Sequence, residues 1–229
     1  MSAGPDLNAM PEPEIAPALL EQLEAVPLRP GHPLLVVDAD EVLVVFAAHL
    51  ARYADGQGLE MRLERYSLEG AFRDRASGAL LPFDGAIALI NRFVTTETVR
   101  QEPVPGGAPA LGRLEEVAQI VVLTNVPRHG REARVENLTG LGMPYPVVEN
   151  GGGKGPALAW LAAKVSAPTV FVDDSPRQIE SAKDAAPDVV CVHFAGAPMV
   201  AEIIPDCPAA DHRVGGWKDA EALIRGLLG

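Results

Sequence analysis

Four stretches of this chain carry residues that could hold a metal or move a proton. Leu34-Leu35-Val36-Val37 runs into Asp38-Ala39-Asp40, and Ile120-Val121-Val122-Leu123 runs into Thr124-Asn125. Thr169-Val170-Phe171-Val172 runs into Asp173-Asp174-Ser175, and Lys154 sits inside Gly151-Gly152-Gly153-Lys154-Gly155. Singly, each is ordinary, because Asp and Asn end strands wherever a turn or a helix cap follows. Together they pose a charge problem. Two carboxylates about 4 Å apart repel by roughly 4 kcal/mol at an effective dielectric near 20. Gathering Asp38, Asp40, Asp173 and Asp174 without a counter-charge would cost several such repulsions or raise some of their pKa values. A divalent cation removes the difficulty. With oxygen donors only, and no His or Cys beside them, the hard ion Mg2+ is the natural choice.

The elements that must bring these residues together are legible as short apolar runs. Besides the three above, Val189-Val190-Cys191-Val192 is a further run, and Pro146-Val147-Val148 a weaker one. Continuous runs of this length suit strands buried on both faces of a parallel sheet. Helical segments lie between them, at Arg128 to Leu141, Gly155 to Val165 and Pro176 to Ala186, and Trp217 to Leu228 reads as a final helix. The alternation predicts an α/β fold, a doubly wound, Rossmann-like parallel sheet joined by right-handed crossovers. In such sheets ligands bind beyond the carboxyl ends of the strands, where the acidic residues fall.

One interval breaks the rhythm. Roughly 65 residues separate the first strand from the second, where a crossover needs a dozen or so. Phe46 to Tyr53 and Ile87 to Val94 have helical spacing, and Pro103-Val104-Pro105-Gly106-Gly107-Ala108-Pro109 is a linker composition. The expected organisation is a proline-rich extension over 1–30, a core over 31–45 and 113–229, and a small, mostly helical cap over 46–112. Within the extension, Met1 to Pro13 reads as a mobile tail, and Ile15 to Val26 as one helix with Ile15, Leu19, Leu20 and Leu23 on a common face.

An apolar strand ending Asp-x-Asp, a later strand ending Thr-Asn, a Lys at a helix start and a strand ending Asp-Asp, in that order, resemble the haloacid dehalogenase (HAD) superfamily. The resemblance covers about Leu34 to Val45 and Ile120 to Val192, and the insert lies where that family carries a helical cap. It implies that Asp38 is a nucleophile taking a phosphoryl group as an aspartyl-phosphate. Asp40 would protonate the leaving oxygen and then activate water, its backbone carbonyl serving as a metal ligand. Thr124, Asn125 and Lys154 would bind and neutralise the phosphoryl group. Asp38, Asp40, Asp173 and Asp174 would surround Mg2+, which also shields the incoming anion. Relatives that cleave carbon–halogen bonds lack the second Asp, so Asp40 favours phosphoryl transfer. One departure is Glu41, where relatives commonly have Gly: the turn must accept a side chain, or Glu41 points to solvent.

Other features have plainer readings. Lys154 is followed by Gly-Pro, not Ser or Thr, so the glycine run is no P-loop; the glycines let the backbone bring Lys154 over the site, and Pro156 suits a first helical turn. Cys191-x-His193 suits a packed core better than a metal pair. Arg128, Arg131 and Arg134 read as a solvated helix face, with Arg128 near enough to Thr124 to meet substrate. In the insert, Tyr53, Arg62, Arg65, Tyr66, Phe72, Arg73 and Arg75 are aromatic and cationic groups that could hold the organic part of a substrate or a second anion; the plainer reading, preferred for Tyr53, Tyr66 and Phe72, is that they pack its small core.

Composition bounds the rest. The 229 residues, 48% apolar and 22% charged, suit one globular domain with an insertion. A net charge of −12 makes nucleic acid or an anionic membrane a poor partner. Two cysteines make no disulfide framework, and residues 1–30 lack a secretory pattern, so the expectation is a cytoplasmic protein. The reading is a Mg2+-dependent phosphatase acting on a small phosphorylated metabolite. Its alternatives are a phosphomutase or phosphotransferase, and a catalytically weak HAD-like binding or regulatory protein. The sequence sets neither the natural substrate nor the oligomeric state.

Overall fold

The computed structural model describes residues 15–229, so the expected tail over Met1 to Pro13 lies outside the described residues. In chain order the first elements are α1 (Pro17–Ala25), β1 (Leu34–Val37), α2 (Ala47–Gly56), β2 (Leu59–Met61), β3 (Phe72–Asp74) and α3 (Phe83–Glu97). There follow α4 (Gly107–Leu114), β4 (Gln119–Thr124), α5 (Arg131–Gly140), β5 (Val147–Glu149), α6 (Gly155–Val165) and β6 (Thr169–Asp173). The chain closes with α7 (Pro176–Ala185), β7 (Val190–Phe194), β8 (His212–Val214) and α8 (Trp217–Leu228).

Six strands form one sheet in the order β5-β4-β1-β6-β7-β8, with every pairing parallel. All four residues of β1 are fully buried, as a strand covered on both faces must be. Alternate residues serve opposite layers. Leu35, Val37, Val122 and Val172 pack with Leu111 of α4, Leu138 of α5 and Trp217 and Ile224 of α8. Leu34, Val36, Val121 and Phe171 pack with Leu23 of α1, Leu158 and Leu161 of α6 and Ile179 of α7. Each such side chain contributes about 1.5–3 kcal/mol on burial. The core is therefore the doubly wound α/β sheet expected. The chain leaves β1 toward β4 on one side and later returns to β6 on the other, so the sheet's switch point lies beside β1.

The ends of the expected segments differ. Leu23 of α1 is fully buried against the sheet layer and the Gln22 side chain bonds the backbone of Glu149, so residues from Pro17 onward belong to the core, not to an extension. At the other boundary, α4 begins within 46–112 and runs two residues past it, and its Ala110, Leu111 and Leu114 share the sheet-side cluster with α8. The rest of the insert has its own core, built on Leu50, Phe72, Leu89 and Phe93. It is not helical throughout: β2 and β3 form an antiparallel hairpin. A second apolar contact joins Met61, Leu63 and Tyr66 of the insert to Ala197, Val200 and Ile204, which follow β7.

Candidate active site

The carboxyl ends of β1, β4 and β6 stand side by side because the three strands are paired in register. Asp38 directly follows β1, and Asp173 ends β6 one strand away. Lys154 reaches the same point from the residue just before α6, where its Nζ lies 2.5 Å from Asp38 Oδ1 and 2.7 Å from Asp173 Oδ2. Burial alone would lower the Lys154 pKa, but the Asp173 and Asp38 carboxylates outweigh it and hold the ammonium above its ordinary range.

Close packing brings Lys154 there. The backbone N–H of Lys154 donates to Gln178 Oε1 at 2.9 Å, and that of Gly155 to Ser181 Oγ at 3.0 Å, so α6 starts hard against α7. A side chain at Gly155 would put its Cβ 2.0 Å from the Ser181 carbonyl oxygen. The glycine run thus serves approach, as the sequence suggested. Asn125 secures the opposite wall by donating to the Gly152 carbonyl at 2.7 Å and accepting from Asn150 at 3.0 Å. Thr124, at the end of β4, is wholly buried; its hydroxyl accepts the Val126 N–H, and it does not line the cavity.

Asp38, Asp173 and Asp174 each offer a carboxylate oxygen, and these oxygens lie within 4.8 Å of one another. Burial, then repulsion from Asp173 and Asp38, raises Asp174 well above its usual range. Burial likewise pushes Asp173 to about 6 against the pull of Lys154. Such crowding is what a hard divalent ion relieves, and the all-oxygen donor set fits Mg2+. The Asp40 side chain stands outside this trio, paired with Arg134. Burial raises its carboxyl, while the guanidinium pulls it back. His193, fully buried, donates from Nε2 to the Asp174 carbonyl at 3.0 Å and steadies that turn.

The structure overturns the expectation for Arg134 and decides between the alternatives left open for Glu41 and Tyr66. Arg134 is 1% exposed, not on a solvated face. With Asn137 and Leu138, also buried, it forms an i, i+3, i+4 inward stripe, a period that could have revealed it. Glu41 does not point to solvent. It takes the left-handed backbone (φ 61), a glycine-like conformation costing an ordinary residue on the order of 1 kcal/mol, and is 5% exposed. Its Oε1 accepts the Ala47 N–H at the start of α2, its Oε2 has no partner, and burial lifts the carboxyl to about 7. Tyr66 leaves the insert's own core: its hydroxyl donates to Asp174 Oδ2, tying insert to sheet. Tyr53 and Phe72 do pack that core, as expected.

These groups surround one cavity of about 280 Å³. Asp38, Asp40, Asn125, Lys154, Asp173 and Asp174 line it on the sheet side, and Phe46, Leu63, Leu68, Val200 and Ile203 form much of the rest. None of the insert's arginines lines it: Arg62 pairs with Glu60, Arg65 with Glu69 and Arg75 with Asp55, while Arg73 also lies outside the wall. The expectation that they hold a second anion is not met. No helix among the described residues is long and apolar enough to cross a membrane.

No family model matches the sequence, and no curated protein is similar to it in sequence. Solved structures are similar in fold. A HAD family hydrolase from Deinococcus radiodurans R1, with bound phosphate and sodium, superposes with a TM-score of 0.61 at 16% identity over 87% of this chain and 99% of that one. A haloacid dehalogenase-like hydrolase from Burkholderia xenovorans LB400 gives 0.58 at 18% identity, over 87% of this chain and all of the other. The L-2-haloacid dehalogenase of Xanthobacter autotrophicus gives 0.56 at 16% identity, over 85% and 98%. By the course of its backbone, with the acidic strand ends meeting where the sheet reverses, this chain has the fold of the haloacid dehalogenase-like hydrolases.

Proposed function

We propose that the protein is a Mg2+-dependent phosphatase that hydrolyses a small phosphomonoester through an aspartyl-phosphate on Asp38. The observation that carries this reading is the pairing of Asp38 with Asp40 two residues on: a buried carboxylate at the metal-binding trio, and beside it a second carboxyl that stands outside the trio, held by Arg134 and lining the same cavity. The bound phosphate of the Deinococcus structure supports it. A dehalogenase needs the first group but has no use for the second.

The steps follow from the side chains. An Asp38 oxygen attacks phosphorus, and the bond to the leaving oxygen breaks as Asp40 gives that oxygen its proton. Burial, which raises the Asp40 carboxyl, suits it to carry that proton. Lys154, already on Asp38 Oδ1, stabilises the charge building on the transferred group. Asp40, now ionised, takes a proton from water, whose oxygen displaces Asp38 and releases phosphate. Asp38, Asp173 and Asp174, with the Asp40 backbone carbonyl, would hold Mg2+, which when bound screens the phosphoryl charge from the carboxylates.

The test is phosphate release from an aryl phosphate with and without Mg2+, alongside halide release from a 2-haloacid. Mg2+-dependent phosphate release without halide release is the expected result; the opposite pattern would overturn the reading. Transfer of the phosphoryl group to an added alcohol in preference to water would favour a phosphotransferase.

A further inference from the structure

We infer that Glu41 selects the substrate: its free carboxylate oxygen accepts a hydrogen bond from an N–H or O–H group on the leaving group, and the natural substrate carries no second anion. This rests on the phosphatase reading and narrows it to a class.

The argument begins with an unpaired atom. Glu41 lines the cavity, and its two oxygens have different fates. Oε1 is used locally by the Ala47 N–H. Oε2 is buried without any partner. A buried acceptor left unpaired is costly, more so where the neighbours cannot hydrogen-bond. Phe46, Leu63 and Ile203, in the same cavity wall, offer no donor, and none of the wall's donor-bearing side chains, Tyr66, Ser67, Asn125 and Gln178 among them, reaches Oε2. The left-handed backbone at Glu41 would suit glycine better, so the side chain is held there against local preference.

Charge limits what can supply the donor. Lys154 is the one cationic side chain in the described wall, and Asp38 and Asp173 already engage it. A carboxylate or second phosphate on the leaving group would enter a wall that already carries Asp38, Asp40, Asp173 and Asp174 beside Glu41, with no free cationic side chain to offset it. An alcohol or an ammonium meets it favourably. The cavity, about 280 Å³, lies at the lower end of the ~300–1,000 Å³ common for drug-sized ligands. A short leaving group with one donor fits.

The experiment compares kcat/KM for ethanolamine phosphate, ethylene glycol phosphate, n-propyl phosphate and phosphoglycolate, with an aryl phosphate as the general substrate. Either donor-bearing ester should exceed n-propyl phosphate by roughly 10- to 100-fold, with phosphoglycolate the poorest; whichever of the two leads identifies the donor as nitrogen or oxygen. In Glu41→Gln the amide oxygen can keep the Ala47 contact while the NH2 faces the cavity, so acceptor is exchanged for donor and the preference should vanish or invert. Glu41→Gly, which suits the backbone, should also erase it if the Gln variant fails to fold. A merely structural Glu41 would lower turnover of all four esters alike. Equal kcat/KM across them, with aryl phosphate still cleaved, overturns this inference and leaves the phosphatase reading standing. No phosphate from any substrate overturns both. Calorimetry with Asp38→Asn protein supplies a second readout free of turnover: tighter binding of ethanolamine phosphate or glycol phosphate than of n-propyl phosphate is expected, and equal binding contradicts the assignment.

Discussion

Arg134 and Asp40, 94 residues apart in sequence, meet as an ion pair in which the guanidinium is buried and the carboxylate faces the cavity. Helix α5 thereby sets the position of the proposed proton carrier. Replacing Arg134 with Leu leaves Asp40 without its cation. The loss of stability should be about 2–3 kcal/mol, less than the ~3–5 for a wholly buried pair, because Asp40 keeps some contact with water. Since Arg134 holds the Asp40 carboxyl down, its removal should also move the pH–rate profile to higher pH. Arg134→Lys should restore part of both. Denaturant titration and a pH series of kcat/KM read the two effects separately.

Asp38→Asn should reduce phosphate release by at least roughly a thousandfold, as removal of a nucleophile does. The remaining Lys154–Asp173 pair should keep the sheet assembled. Circular dichroism would confirm an unchanged fold, and activity near the wild-type value would refute Asp38 as nucleophile.

Stability of the metal-free protein should fall as pH rises from about 4 to 7. Burial lifts Glu41 from its ordinary 4.5 to about 7 and Asp173 from 3.8 to about 6, so the folded state holds these protons more tightly than the unfolded chain. Their contribution is complete below the ordinary carboxylate pKa values and is lost as the folded groups ionise. For Glu41 alone the change is on the order of 3 kcal/mol. Mg2+ favours the ionised trio, so its addition should raise the melting temperature more at pH 8 than at pH 5. Scans with EDTA or excess Mg2+ at both values check this.

Gly155→Ala should separate α6 from α7. The new Cβ would stand 2.0 Å from a backbone oxygen and 2.9 Å from Ala185 Cβ, contacts that only movement of a helix can relieve. Overpacking of this kind costs about 1–3 kcal/mol. Because Lys154 precedes the helix, its ammonium should withdraw from Asp38, and kcat should drop by roughly tenfold or more. A stable variant with unaltered kcat would contradict this account of the glycine run.

The central strands were legible because β1, β4 and β6 are buried on both faces, so their sequences are unbroken apolar runs. Edge strand β8 has no such signature: His212 and Arg213 are exposed and only Val214 is buried. The β2–β3 hairpin escaped notice because each strand is three residues long. In the site, Asp38, Lys154, Asp173 and Asp174 follow directly from strand ends and a helix start. Arg134 and Tyr66 act through contacts with distant segments, and Glu41 through an unusual left-handed turn, so a local reading gave each its commonest surroundings. Asn137, buried beside Arg134, was the overlooked clue to that helix face.

Trp217, at the head of α8, donates from its indole nitrogen to the Val42 carbonyl at 2.7 Å. Val42 belongs to the turn that carries Asp40 and Glu41, so a residue 175 positions downstream fastens that bend. A chain that stops short of Trp217 lacks this clasp, even though every acidic group of the candidate site is already in it.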